Sequence, residues 1–357
     1  MAENFNPQQK SYLASYMNGV SRSFSLVAPE VESPLDDYLA AAYLICRVVD
    51  NIEDTLQPFE WQKKRFAEFS TLLDAPQTAE QILRGWDRFN WPGLTDSEKE
   101  LMTCEKGLML WQIYSELPGS YRDPIRRWAS MMAFGMERSS NPYTSDFFFD
   151  HEQVRLPVQE SDYDLYCFYV AGTVGRMITE LAILFYDVVD PQKQILIDGS
   201  DACGRALQKT NIVKDFERDL QRGVCFLPGD WLKEVDYTPL RLDGVPSAWK
   251  AMVLLNVVEE LEASVRYVLA LPEEALGYRK AGLLMMLPAY ETILLAAQRL
   301  QDIFTPRHSV KISRTKMGQC ILRARNIAGD NQAISAYSDK MALQIRSQLS
   351  PVLAEVR

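Results

Sequence analysis

Residues 43–54 read YLICRVVDNIED, a helical pattern in which charged residues border an apolar stripe. At about 100° per residue, one helical edge of about 60° carries four polar residues: Tyr43, Arg47, Asp50 and Asp54. The adjacent edge is apolar and faces a core, where ionised carboxylates are costly unless a cation meets them. Arg47 by itself cannot neutralise the carboxylates of Asp50, Glu53 and Asp54. A bound divalent metal could.

A second stretch, QKTNIVKDFERD at residues 208–219, repeats this arrangement. Oxygen-bearing side chains again step along one helical face by three, four and four residues: Gln208, Asn211, Asp215 and Asp219. Hard oxygen ligands favour Mg²⁺ or Mn²⁺, and Mg²⁺ commonly completes its shell with substrate phosphates. The two stretches together predict a metal site that binds a diphosphate. One such pair of carboxylates alone is a weak signal, because it is more typical of a solvated helix face than of a metal site.

Composition limits the class of protein. The chain has 357 residues, 47% of them hydrophobic, which is sufficient for a sizeable core. Its net charge of −10 argues against nucleic acid, which needs a basic face. The six cysteines form no C-x-x-C pair, and two histidines nearly exclude His-dependent triads. The N-terminus lacks a basic start and an apolar run, so we expect no signal peptide and a cytoplasmic protein. We expect no membrane span, because uninterrupted apolar runs stay below about 18 residues.

Helical periodicity is nearly continuous and strand signals are sparse, so the sequence predicts an all-α fold without a firm domain boundary. Residues 139–160 are expected to form an irregular connection. A long helix should open at Ser161 and run past Tyr166 and Val170 to Gly172 and Gly175. Glycine inside a helix costs about 1 kcal/mol relative to alanine, which indicates a close approach by a neighbouring helix or by an apolar ligand tail.

Two further stretches carry cations. Ser21, Arg22, Ser23 and Phe24 follow the first predicted helix and could meet an anion, or could be a helix cap with a surface arginine. Residues 307–325 are locally basic, which is typical of a solvated face or of a phosphate-binding rim. No G-x-G-x-x-G motif follows a strand, so a nicotinamide cofactor would bind outside a Rossmann fold.

Taken together, these motifs resemble the squalene/phytoene synthase family of head-to-head prenyl synthases. The resemblance covers nearly the whole chain and is most specific at three places: D-x-x-E-D at 50–54, Y-C-x-Y-V-A-G-x-V-G at 166–175 and Q-K-T-N-I-x-x-D-x-x-x-D at 208–219. It implies one all-α isoprenoid-synthase domain over residues 1–357, with a central cavity, two molecules of farnesyl diphosphate and Mg²⁺.

The resemblance also assigns roles to residues. It implies a metal–diphosphate site formed by Asp50, Glu53, Asp54, Asn211, Asp215 and Asp219. It implies catalytic roles for Tyr43 and Tyr166 near the reacting carbons and for Arg47 at the diphosphate. It implies substrate contacts for Ser21, Arg22, Ser23, Phe24, Arg47, Val170, Gly172, Gln208 and Asn211.

Within the family, Val310-Lys311-Ile312 followed by Gln319 is more similar to the squalene synthases than to the phytoene synthases. That similarity implies NADPH bound by Asn211, Lys214, Lys311 and Arg314, and a final reduction to squalene. The alternatives are a synthase that stops at presqualene diphosphate, dehydrosqualene or phytoene, and a non-catalytic helical binding protein. We expect a monomer or weak dimer, with peripheral membrane association for product release.

The sequence departs from the family pattern in three ways. Val224 stands where an arginine is usual, and Leu284 replaces an aromatic residue of the eukaryotic enzymes. The first departure affects a phosphate or cofactor contact, and the second affects the shape of the pocket for the second step. The polar end of the sequence, SPVLAEVR, also leads us to expect no C-terminal membrane anchor.

Overall fold

The structure is a computed structural model that describes residues 5–20, 24–242, 244–305 and 309–354. The first eight helices are α1 (Pro7–Val20), α2 (Phe24–Val27), α3 (Leu35–Asp54), α4 (Phe59–Asp74), α5 (Ala79–Trp86), α6 (Asp96–Leu101), α7 (Cys104–Glu116) and α8 (Gly119–Ser140). The others are α9 (Glu160–Cys167), α10 (Thr173–Phe185), α11 (Gln192–Gln221), α12 (Gly229–Glu234), α13 (Ser247–Ala270), α14 (Leu276–Gln298), α15 (Arg314–Ile327) and α16 (Asn331–Ala354). The predicted all-α class is confirmed.

The chain divides into two compact units, of which the first comprises Met1–Asn141 and Thr173–Lys193. Its central element is α3, which packs against α1, α4, α8 and α10. Apolar side chains occur on most sides of this helix, and Leu35, Leu44, Ile45 and Val48 are fully buried. A helix that is apolar nearly all round is stable only when neighbours surround it. This explains why its polar edge is so narrow.

The second unit comprises Pro142–Gly172 and Gln194–Arg357. Within it, α13 packs against α14 and α16, and α15 packs on α14. The prediction of a single domain over residues 1–357 stays a prediction.

The prediction of an irregular connection over residues 139–160 was wrong in part. Two strands, β1 (Phe148–His151) and β2 (Val154–Pro157), form an antiparallel hairpin there. Glu152 and Gln153 at the turn have φ values of 51° and 66°. Two positive φ angles in a two-residue loop match the twist of the flanking strands, which explains the tight turn without glycine.

A π-helical turn, Phe168–Gly172, separates α9 from α10. The sequence predicted one uninterrupted α-helix here. Because a π turn contains more residues than an α turn, it shifts the side chains beyond it around the helix axis, and such turns are frequent at functional sites.

All six cysteines are free thiols, four buried and two half-buried. Two helical stretches, Glu160–Phe185 and Leu276–Gln298, are long and apolar enough to cross a membrane by length and composition. Half or more of each apolar window is buried in the structure, as in core helices of soluble proteins, so this is weak support for a span.

Candidate active site

The first acidic stretch forms the C-terminal half of α3, and Arg47 is the centre of its polar edge. Arg47 donates a hydrogen bond from Nη2 to the Tyr43 hydroxyl at 2.9 Å. Its Nη1 lies 3.5 Å from Asp50 Oδ2 and 3.8 Å from Glu98 Oε1, on α6. All four side chains are half-buried. The predicted grouping of Tyr43, Arg47 and Asp50 is therefore present, and Glu98 joins it.

Negative charge exceeds positive charge on this edge. Burial raises the pKa of Asp50 from 3.8 to about 7; Arg47 opposes the shift, and Asp54 and Glu98 add to it. Burial also disfavours the charged form of Arg47, but Asp50 and the Tyr43 hydroxyl outweigh it and hold the pKa of that guanidinium above its usual value. Burial and like charge disfavour the ionised form of such a carboxyl group, and a cation bound beside it would favour that form.

The end of α3 is fixed by side chains that sequence reasoning missed. Gln62 on α4 donates from Nε2 to the carbonyl oxygens of Ile52, Glu53 and Thr55, at 2.9–3.2 Å. These bonds satisfy carbonyl groups that a helix end leaves without partners. The Glu53 carboxylate itself accepts a hydrogen bond from Ser139 on α8 at 3.3 Å. The last turn of α3, which carries half-buried Asp54, is thus held in place.

The second acidic stretch lies on α11 and is partly neutralised by its own cations. Lys214 Nζ lies 2.7 Å from Asp215 Oδ2, and Arg218 lies 3.5 Å from the same oxygen and 4.0 Å from Asp219. Lys214, predicted as a cofactor contact, is therefore an ion-pair partner of a predicted metal ligand. Asn211 is exposed on this helix.

Two cations of α11, Arg205 and Lys209, belong to an ionic network that the sequence did not reveal. Lys209 is 1% exposed and contacts Asn256 Oδ1 at 2.8 Å, Glu260 Oε1 at 3.1 Å and Asp164 Oδ1 at 2.6 Å. Arg205 binds both oxygens of Glu260, at 2.8 and 3.0 Å. Because such ions are stable in a core only when paired, the network fixes α11 against α9 and α13.

A close helix contact explains one of the two conspicuous glycines. A Cβ atom at Gly172 would lie 2.8 Å from the Phe168 ring and 3.3 Å from Asp201 on α11. A Cβ atom at Gly204 on α11 would lie 2.1 Å from the carbonyl oxygen of Ala171. Of the two explanations predicted for Gly172, the neighbouring helix is observed, and the apolar ligand tail stays a prediction.

Tyr166 and Val170 lie on either side of the start of the π turn. The Tyr166 side chain is 4% exposed, and its ring stacks on Phe226 at 4.6 Å between centroids with 16° between planes. Val170 is half-buried, as is Gln208 on α11.

The remaining predicted contacts are the cofactor contacts at Lys311 and Arg314 and the substrate contacts at residues 21–24. Lys311 and Arg314 are exposed, and Arg314 begins α15 behind the N-cap Ser313. Ser21, Arg22 and Ser23 lie outside the described residues, and Phe24 begins α2.

In the described parts of the chain, no group of three or more His, Cys, Asp or Glu side chains is arranged to hold a metal ion. The predicted ligands are divided between α3 in the first unit and α11 in the second. Their oxygen chemistry fits Mg²⁺ or Mn²⁺, and a cation beside Asp50 would offset the effect of burial, which raises the pKa of that carboxyl group. The joint metal site stays a prediction.

Comparison with known proteins identifies the family. The model of the squalene/phytoene synthase family matches residues 17–316, so the chain belongs to that family. Squalene synthase of Cyberlindnera jadinii is 26% identical over 333 residues, covering 91% of this chain and 69% of that protein. Squalene synthase ERG9 of Candida albicans is 32% identical over 222 residues, covering 61% of this chain and 45% of that protein. The chain thus spans about half the length of several curated relatives.

Solved structures agree on the fold. TcSQS in complex with a ligand superposes with a TM-score of 0.77 at 21% identity, covering 98% of both chains. A dehydrosqualene synthase superposes with a TM-score of 0.62 at 16% identity, covering 89% of this chain and 96% of that one. The chain therefore has the all-α fold of these synthases.

Proposed function

We propose that this protein is a squalene-synthase-type prenyltransferase. It would condense two molecules of farnesyl diphosphate head to head to presqualene diphosphate and then reduce that intermediate to squalene with NADPH. The observation that carries the proposal is the half-buried edge of α3, where Arg47 lies 3.5 Å from Asp50 and donates a hydrogen bond to Tyr43, and where burial raises the pKa of Asp50 to about 7. The family assignment and the relatives named squalene synthase support the same reaction.

The metal–diphosphate site would be formed by Asp50, Glu53, Asp54, Asn211, Asp215 and Asp219. Bound Mg²⁺ or Mn²⁺ would neutralise charge that develops on the departing diphosphate. Arg47 would bind a phosphate oxygen, because its guanidinium already lies at this edge and its charged form is favoured. The hydrogen bond from Arg47 to Tyr43 at 2.9 Å orients that phenol beside the substrate.

Other side chains of this protein would act on the prenyl groups. Val170 and Gly172 would line the apolar path of a chain, which excludes water from the reacting carbons. Tyr166 would hold or move a proton at its hydroxyl during condensation. Ser21, Arg22, Ser23 and Phe24 would contact the substrate, as would Gln208.

NADPH would supply the hydride of the second step, held by Asn211, Lys214, Lys311 and Arg314. One observation favours a synthase that does not reduce its product: Lys214 is paired with Asp215 at 2.7 Å, so a phosphate would have to compete for it. The second candidate is therefore a synthase that ends at presqualene diphosphate, dehydrosqualene or phytoene. We further propose a cytoplasmic monomer or weak dimer that reaches the membrane only peripherally.

The test is an incubation of the purified protein with farnesyl diphosphate and Mg²⁺, with and without NADPH, followed by identification of the lipid product. We expect squalene with NADPH, presqualene diphosphate without it, and no turnover in excess EDTA. The same lipid in both incubations would favour the second candidate. Unconsumed farnesyl diphosphate would favour a non-catalytic binding protein.

A variant separates the two steps. Lys311→Ala should raise the NADPH concentration needed for half-maximal squalene formation by about tenfold, as expected for the loss of one phosphate contact, with condensation close to normal. Because Lys311 is exposed, added salt should weaken cofactor binding in the wild type. An unchanged NADPH requirement in the variant would make this residue part of a solvated basic face.

A further inference from the structure

The β1–β2 hairpin is attached through its backbone to the loop that follows α11. The Arg155 amide donates to the Gly223 carbonyl at 2.8 Å, and the Cys225 amide donates to the Arg155 carbonyl at 2.8 Å. Arg155 and Val224 thereby form a parallel bridge. A short loop paired in this way to a strand has little freedom to move.

Phe226 comes directly after the paired residues, and its neighbours in sequence are anchored. Cys225 and Leu227 are both fully buried. Further on, the Asp230 amide donates to the Val158 carbonyl at 3.1 Å, just after β2. The loop is thus tied to the hairpin segment on both sides of Phe226, which fixes where the Phe226 ring points.

Three aromatic rings meet at this place. Tyr166 stacks on Phe226 at 4.6 Å and meets Phe148 of β1 edge-on at 5.4 Å, with 61° between the planes. Phe148 and Phe226 lie 6.5 Å apart with 74° between their planes. Offset stacking and edge-to-face contacts are the favourable geometries for aromatic pairs. Phe148 is 1% exposed, so its ring has no room to turn away.

The position of Tyr166 in the chain makes this support necessary. Tyr166 lies two positions before the π turn Phe168–Gly172, where the hydrogen-bond pattern of the helix changes. We propose that Phe226 and Phe148 are positioning residues for Tyr166, and that the hairpin serves to hold them. This inference rests on the proposed function, in which the Tyr166 hydroxyl acts during condensation. Displacing a reacting group by about 1 Å can reduce turnover up to a hundredfold.

The experiment compares Phe226→Leu, Phe226→Tyr and Phe149→Leu with the wild type. Phe226 is half-buried, so its replacement should leave the fold intact, which circular dichroism would verify. Phe226→Leu should lower kcat for presqualene diphosphate formation about tenfold, with KM within twofold of the wild type. Phe226→Tyr keeps an aromatic ring at this position and should keep the wild-type kcat. Phe149, on the other face of the hairpin, packs against Gly229 and His151, so Phe149→Leu should keep wild-type kcat. Equal losses in Phe226→Leu and Phe149→Leu would overturn the proposal.

A double-mutant cycle tests whether Phe226 acts through Tyr166. In a Tyr166→Phe background, Phe226→Leu should cost less than twofold in kcat, because the hydroxyl that it positions is already absent. The full tenfold loss in that background would refute the positioning role.

A spectroscopic measurement separates this inference from the proposed function. The protein is labelled with 3-fluorotyrosine, and the ¹⁹F signal of Tyr166 is assigned by its loss in Tyr166→Phe. That signal should move in Phe226→Leu and stay in place in Phe149→Leu, even if farnesyl diphosphate is not consumed. An unmoved signal in Phe226→Leu would overturn the positioning role whatever the substrate is.

Discussion

The two acidic helices α3 and α11 carry similar sequence patterns but differ in how their charge is balanced. On α3, the nearest cation to Asp50 is Arg47 at 3.5 Å, and Asp54 and Glu98 add to the negative charge. On α11, Asp215 has Lys214 at 2.7 Å and Arg218 at 3.5 Å. The Asp50 carboxylate is therefore less well neutralised than that of Asp215, which has two cations within 3.5 Å. The same spacing of carboxylates does not by itself set their electrostatic state.

The largest expected effect comes from removing one carboxylate charge on either helix. Asp50→Asn and Asp215→Asn should each lower turnover of farnesyl diphosphate by about 10²–10³, because preorganised charge at a leaving group is worth about that much. Steady-state assays at saturating Mg²⁺ measure the loss.

Matched controls make the same charge change elsewhere on each helix. Asp37→Asn on α3 removes the charge that pairs with Lys10, and Asp198→Asn on α11 removes the charge of the group that accepts a hydrogen bond from Gln194. Both controls should keep turnover within about twofold of the wild type, since single surface interactions are weak. If Asp215→Asn kept near-normal turnover while Asp50→Asn did not, the metal would depend on α3 alone.

The next largest effect concerns the ionic network that Arg205 and Lys209 of α11 form with Asp164 and Glu260. Lys209→Met should lower the free energy of unfolding by about 3–5 kcal/mol, because it removes the buried cation that pairs with Asp164 and with the half-buried Glu260 carboxylate. Lys214→Met on the same helix breaks a half-exposed pair and should cost about 1 kcal/mol or less. Urea unfolding followed by circular dichroism gives both values. Equal losses would mean that the network does not anchor the helix.

A smaller effect distinguishes the charge balance of the two helices directly. In EDTA at pH 8, Asp50→Asn should raise the free energy of unfolding by about 1–2 kcal/mol, discounted because the side chain is partly exposed. The sign follows from the folded pKa of about 7, which lies above the ordinary 3.8 of an aspartate. In the wild type, the loss of stability caused by ionising Asp50 in the folded protein grows as pH rises from about 4, and it is complete above about pH 7.

The corresponding change on α11, Asp215→Asn, should not stabilise the folded protein. Asp215→Asn removes the partner of Lys214 and should leave the free energy of unfolding unchanged or slightly lower under the same conditions. A stabilising effect of similar size in both variants would remove the contrast between the helices.

The smallest effect is a pH dependence of stability that arises from Glu260. Burial opposes its ionisation, but hydrogen bonds from Arg205 and the charges of Lys209 and Arg205 lower the pKa of Glu260 below 4.5. Its stabilisation is therefore complete above about pH 4.5 and is lost as pH falls through the lowered pKa of the folded state. Between pH 5 and pH 3, urea midpoints should fall less steeply in Glu260→Gln than in the wild type. Parallel curves would contradict the assignment.

Some elements were predictable because their signals are local. The first helix begins at Pro7, directly after Asn6, which caps it by accepting a hydrogen bond from the Gln9 amide at 3.0 Å. The two stretches predicted as helical, residues 43–54 and 208–219, lie within α3 and α11. The short break between α6 and α7 contains Thr103, whose side chain caps α7.

The hairpin was not predictable by the same means. Its strands have four residues each, and their partner on the far side is the loop at Val224, about seventy residues away. A short apolar run such as Phe147–Phe149 does not specify a strand until something pairs with it. The π turn was missed for a related reason: Gly172 indicated a close approach, but only the packed α11 shows what approaches.

By itself, the sequence determined which carboxylates share a helical edge with Arg47 and which share a face with Asn211. It could do so because helical periodicity is a local property of the backbone. Only the tertiary structure decided that Glu98 faces Arg47, that Gln62 holds the end of α3, that Lys209 is buried with Glu260 and that Phe226 stacks on Tyr166. These pairs join residues that are remote in sequence, and packing of the whole chain selects them because a buried polar group or ring needs a specific partner.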